Sequence, residues 1–66
     1  MELKNRIKVI CVEKELKLGN VADHLNISAS SFSKIISNKQ IIDVKTALIL
    51  VRYLEKSFDE VFYLEE

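Results

Sequence analysis

Leu16-Lys17-Leu18-Gly19-Asn20-Val21-Ala22-Asp23-His24-Leu25-Asn26-Ile27-Ser28-Ala29-Ser30-Ser31-Phe32-Ser33-Lys34-Ile35-Ile36-Ser37-Asn38-Lys39 holds two short helical patterns joined by Leu25-Asn26-Ile27-Ser28. Val21, Ala22 and Leu25 fall on one helix face. Asn26 follows them, and asparagine tolerates a left-handed backbone better than any residue except glycine, so it can close the helix. Ile27 then turns inward as an apolar anchor, and Ser28 offers a side-chain oxygen to the free N–H groups of the next helix. Phe32, Ile35 and Ile36 give that helix a buried stripe. Its other face carries Ala29, Ser30, Ser31, Ser33 and Lys34. Two helices held by such a joint, with a polar second helix presented outward, are what a helix-turn-helix looks like in sequence.

Working outward, a first helix is expected from about Asn5 to Glu15, with Ile7, Ile10, Cys11 and Lys14 on one face and Lys8 and Glu13 outside. The second helix begins near Leu18 to Asn20, weakly marked because Lys17 is a poor cap and Gly19 a poor helix former. The third runs from Ala29 to about Ser37. Asp43 caps a fourth, whose Val44, Ala47, Leu48, Val51 and Leu54 follow helical spacing. Ser57-Phe58-Asp59-Glu60 reads as a capping box opening a short fifth helix through Val61 or Phe62. Apolar and polar residues alternate in Glu2-Leu3-Lys4 and Tyr63-Leu64-Glu65, which can pair as a small sheet within one chain or across a dimer. The expected fold is an all-α bundle of five short helices in one domain, residues 1–66, with that small terminal pairing as an option.

Composition narrows the function. The 66 residues carry no net charge, and 48% are hydrophobic with no proline, which fits a packed helical domain and not a disordered one. Charge is distributed unevenly. Residues 16–42 set Lys17, Lys34 and Lys39 against Asp23 alone, whereas the segment after them holds Asp43, Glu55, Asp59, Glu60, Glu65 and Glu66 against Lys45, Arg52 and Lys56. One cysteine excludes an intramolecular disulfide, and Cys11 and His24 lack further ligands at metal spacing. Cys11 reads as a small buried hydrophobe and His24 as an exposed helix position. No apolar run is long enough to span a bilayer, and no signal-peptide pattern opens the chain, so the expected compartment is the cytoplasm. No phosphate-binding glycine loop, convergent carboxylate pair or nucleophile–base set points to an enzyme, a cofactor or a small-molecule ligand.

The stretch Val21-Ala22-Asp23-His24-Leu25-Asn26-Ile27-Ser28, continued by Phe32-Ser33-Lys34-Ile35-Ile36-Ser37-Asn38-Lys39, resembles the phage repressor/Cro-like family, also called XRE-like. Its members read Leu-Ala-x-x-Leu-Gly-Val-Ser-x-x-x-Ile-Ser-x-Ile-x-Asn-Gly-Lys. Ser57-Phe58-Asp59-Glu60-Val61-Phe62 is similar to the family's closing Ser-Leu-Asp-Glu-Leu-Phe, and the resemblance spans about residues 6–62. It implies a lambda-repressor-like fold and a transcriptional regulator, commonly a homodimeric repressor on palindromic double-stranded DNA, with the third helix in the major groove. Carried over by position, Ala29, Ser30, Ser31, Ser33 and Lys34 stand where bases and phosphates are contacted, and Asn38, Lys39 and Gln40 where the following loop touches the DNA backbone. The family's frequent Thr-Gln at the head of helix two is Lys17-Leu18 here. The amide that clamps a phosphate in the family is therefore missing, Asn20 or free helix N–H groups stand in for it, and Lys17 joins Asn20 among the expected DNA contacts.

Two departures bear on chemistry. Asn26 and Asn38 replace the family's glycines, which keeps positive φ accessible. The recognition helix lacks Arg and Gln, the bidentate readers of guanine and adenine; serines bond to several bases but discriminate weakly, so much of the specificity is expected from Gln40, from thymine-methyl contacts by Ala29, or from DNA shape. An alternative reading keeps the fold and uses its surface for protein, as an anti-repressor or antitoxin-like partner does. The apolar surplus on helix four and near it points to a homodimer interface built from helix four, helix five and the C-terminal segment, which includes Ile49, Tyr63 and Leu64.

Overall fold

Each of the first four helices stops on a residue in the left-handed region: Glu15 (φ 58°), Asn26 (58°), Asn38 (63°) and Glu55 (57°). The next amide in each case reaches back five residues, Leu16 N–H to the Cys11 carbonyl at 2.8 Å, Ile27 to Ala22 at 3.1 Å, Lys39 to Lys34 at 2.8 Å and Lys56 to Val51 at 3.1 Å. This closing motif satisfies carbonyls that the helix leaves free, and it turns the chain sharply. In the computed structural model, which describes residues 1–66, the elements are β1 (Glu2–Asn5), α1 (Ile7–Glu13), α2 (Leu18–His24), α3 (Ala29–Ile36), α4 (Val44–Leu54), α5 (Phe58–Val61) and β2 (Phe62–Glu65). No helix is long and apolar enough to cross a membrane.

Three helix starts are fixed by the predicted side chains. The Ser28 hydroxyl accepts from Ser31 N–H at 3.0 Å. Asp43 accepts from the Thr46 amide at 3.1 Å and from its hydroxyl at 2.6 Å. Ser57 and Glu60 form a complete capping box, with bonds of 2.9 and 3.3 Å. These bonds favour the ionised acids: the Thr46 hydroxyl, then its amide, holds the Asp43 carboxyl below its usual range, and the Ser57 amide, then its hydroxyl, does the same for Glu60. α1 is shorter than Asn5 to Glu15, because Asn5 is spent in the strand and Glu15 already has positive φ.

The core is one cluster to which every helix contributes, and Phe32, Ile7, Leu50, Leu54, Val21, Val61 and Cys11 are its largest fully buried members. Burial pushes the Cys11 thiol up, so it stays protonated as a packing group. Two expected faces are corrected. Lys14 is exposed, since Ile7, Ile10 and Cys11 complete the inward stripe of α1 and Lys14 lies past its end. On α4 the buried stripe is Ala47, Leu50, Val51 and Leu54, while Val44 is 72% and Leu48 48% exposed. At about 100° per residue, a stripe through Ala47, Leu50, Val51 and Leu54 leaves Leu48 roughly 110° from its centre, on the flank.

β1 and β2 pair antiparallel within the same chain, in the register Glu2↔Glu65, Leu3↔Leu64, Lys4↔Tyr63 and Asn5↔Phe62. Side chains alternate across such a ribbon. Phe62 therefore enters the core, where its ring meets that of Phe58 at 5.3 Å, and Tyr63 turns outward under the Arg6 guanidinium at 4.2 Å. Together these elements form a mostly helical fold built on a helix-turn-helix and closed by a two-stranded ribbon.

Candidate nucleic-acid interface

Leu25 is 5% exposed and Ile27 half-buried, so both apolar residues of the joint lock onto the core while Asn26 reverses the chain between them. The first three amides of the joint are used: Leu25 N–H bonds to Val21 O, Asn26 to Asp23 O and Ile27 to Ala22 O, at 3.0 to 3.1 Å. With Ser28 capping α3, the orientation of that helix is fixed from its first turn. Phe32 and Ile35 face inward, and Ala29, Ser30, Ser33 and Lys34 are exposed, with Ser31 half-buried. The hydroxyls of Ser30, Ser31 and Ser33 have no hydrogen-bond partner in the protein, unlike that of Ser37, which donates to Ser33 O at 3.0 Å and Lys34 O at 3.3 Å.

The residues named from sequence divide into two groups in space. Lys17 and Asn20, both exposed, flank the start of α2, whose Leu18 and Gly19 share a groove with Ala29 and Ser33 of α3. Lys17 takes part in no ion pair, which leaves its ammonium uncommitted. The second group lies past the end of α3. Asn38 accepts from Asn5 Nδ2 at 3.2 Å, and Gln40 lines a depression with Leu3, Asn5, Ile41 and Ile42, toward the ribbon. Lys39 is exposed beside them. The molecule's one ion pair, Lys56 with Glu60 at 3.9 Å, involves none of these lysines.

Two residues outside those groups lie against them. Asn5 Nδ2 also donates to the carbonyls of Ile35 at 3.1 Å and Ile36 at 3.4 Å, while its Oδ1 accepts from Ile7 N–H at 3.1 Å. It therefore clamps the last turn of α3 to the junction of β1 and α1. Its sequence signal was an asparagine just before an apolar-periodic helix, which marks a cap but not a distant partner. Lys8 of α1 lines the groove between α2 and α3. Helical periodicity placed it outside, without saying beside which neighbour.

The expected dimer residues do not form one patch. Tyr63 and Leu64 line a shallow apolar depression with Leu3, Ile42, Val44 and Phe58. Ile49 instead lines a separate groove with His24, Arg52, Tyr53 and Glu55, where the His24 and Tyr53 rings stack at 4.2 Å.

No family model matches the sequence, and no curated protein matches it. Among solved structures, the chain is similar to the crystal structure of a protein from Bacteroides fragilis that is provisionally named as DNA-binding. The TM-score is 0.83 over 92% of this chain and 98% of that one, at 23% sequence identity. A likeness at that identity establishes the fold alone.

Proposed function

We propose that this chain is a sequence-specific DNA-binding regulator of transcription of the repressor/Cro-like kind, acting as a repressor. The observation that carries it is the outer face of α3: polar and cationic groups without protein partners, on a helix held rigidly at its first turn by the joint. A helix presented in this way enters the major groove by its N-terminal part. Ser30, Ser31 and Ser33 then exchange hydrogen bonds with base edges, and the Ala29 methyl packs on a thymine methyl. Lys17, Lys34 and Lys39 neutralise phosphates and release counterions, with Asn20 beside them. Asn38, engaged by Asn5, positions the following loop, which carries Gln40 to the DNA. The name of the structural neighbour supports the same reading.

The regulator works as a homodimer on a palindromic site. Val44, Phe58 and Leu64 are 72%, 41% and 62% exposed around one depression, an apolar face of the kind that isologous contacts cover. Tyr63 lies at its edge, and Ile49 falls outside it. Titration of mixed-sequence duplex DNA at low and moderate salt tests the proposal. Affinity that falls steeply with salt supports it, whereas no binding at either salt overturns it and leaves the protein-binding alternative. Selection from a random duplex pool then yields the operator, and paired half-sites about one helical turn apart are the expected mark of the dimer.

A further inference from the structure

The groove between α2 and α3 contains two features that the fold does not require. Gly19 is the only glycine in the chain, and it sits in the first turn of α2, where glycine weakens a helix relative to alanine. Its φ is not positive, and a Cβ placed on it meets no atom within 4 Å. Neither backbone conformation nor internal packing therefore demands glycine at this position. The second feature is Lys8. Its helix buries Ile7, Ile10 and Cys11, yet the exposed lysine between them is carried to the rim of a groove that another helix pair forms. Lys8 has no ion-pair partner, and no carboxylate lines the groove.

A bare Cα admits close approach from outside, and an unpaired ammonium beside it selects an anion. Ala29 and Ser33 belong both to this groove and to the outer face of α3, so whatever enters the groove is continuous with whatever α3 reads. We infer that the groove seats one strand of the DNA backbone, with Lys8 contacting a phosphate and Gly19 letting the sugar approach α2 more closely than a side chain would allow. This adds α1 to the DNA-contacting surface. It rests on the DNA-binding reading above.

The test measures binding of a short mixed-sequence duplex by the whole chain across a range of NaCl concentrations. Lys8→Ala is expected to flatten the dependence of log affinity on log salt by about 0.9 for each bound protomer, and so to weaken binding about eightfold per protomer at roughly 0.1 M salt. Gly19→Ala is expected to raise the melting temperature while weakening DNA binding several-fold, a pairing that a merely structural glycine cannot produce. Lys56→Ala is the control. Lys56 pairs with Glu60 on the other flank of α1, beside Val9 and Glu13, and its loss leaves binding unchanged. A wild-type slope in Lys8→Ala, or wild-type affinity in Gly19→Ala, overturns the inference. If Lys34→Ala flattens the slope in those same conditions, the DNA-binding reading survives that failure. If the unmodified chain does not bind, both fall together.

Discussion

The helix-turn-helix unit and the elements around it end their helices with the same backbone device but fill it with different chemistry. In the unit, the left-handed positions closing α2 and α3 are Asn26 and Asn38; closing α1 and α4, they are Glu15 and Glu55. Asparagine visits that region readily, whereas a glutamate held there costs about 1–2 kcal/mol. The helix starts differ as well. α3 is capped by a neutral hydroxyl, while α4 and α5 are held by the carboxylates of Asp43 and Glu60. The difference teaches that the joint which orients α3 is relaxed and independent of charge, and that strain and acid sensitivity have been left to the surrounding elements.

The severest challenge to this comparison is whether the two regions are separable at all. Phe32 is only 2% exposed and shares one core cluster with Leu50, Leu54 and Val61. Phe32→Ala is expected to cost about 3–5 kcal/mol, enough to unfold so small a domain, with the helical circular dichroism lost in one transition. A residual plateau of helix would show that the regions fold independently. A smaller effect tests the strain directly. Glu55→Gly should stabilise the chain by up to about 1 kcal/mol, read as a higher melting temperature, while Asn26→Gly should change little. Equal gains at both positions would erase the contrast.

The smallest effect is that of pH. Asp43 and Glu60 are held below their ordinary carboxylate range in the folded chain, so the stability they contribute is complete above about pH 5 and is lost as pH falls through their lowered folded values. Urea titrations from neutral pH down to acid should show that loss, reduced in Asp43→Asn and Glu60→Gln. Ser28→Ala, by contrast, should subtract about 1 kcal/mol at every pH. A pH-dependent effect of Ser28→Ala would mean that the joint is not independent of charge.

What could be read in the sequence is mainly local chemistry. Ser28, Asp43 and Ser57 bond to backbone amides three residues away, and Asn26 acts on its own φ, so neighbouring residues suffice to foresee them. Positive φ at Glu15 and Glu55 was not foreseeable in the same way, because nothing in a glutamate favours it. Rotation of α4 was misjudged for another reason: with apolar side chains around much of its circumference, only the surrounding core could choose between Leu48 and Leu50. The ribbon was visible as alternation, but pairing within a chain and between chains present the same pattern until the ends are placed. Asn5 and Lys8 escaped because each acts on residues far along the chain, at the end of α3 and beside α2.

The bond from Asn5 to the end of α3 also bears on the order in which the molecule is built. The helices and their closing turns rest on contacts between near neighbours, whereas β1 can meet β2 only by closing a loop that contains everything else. Loop entropy makes such a contact late to form and early to break. The last turn of α3 is held by Asn5, at the end of the strand that closes this ribbon, through the Ile35 and Ile36 carbonyls. Amide hydrogen exchange should accordingly find that turn and the strands exchanging together, ahead of α2 and the first turn of α3. The surface proposed to read DNA thus divides in time: its leading edge is set by the joint, and its trailing edge follows the breathing of the two ends of the chain.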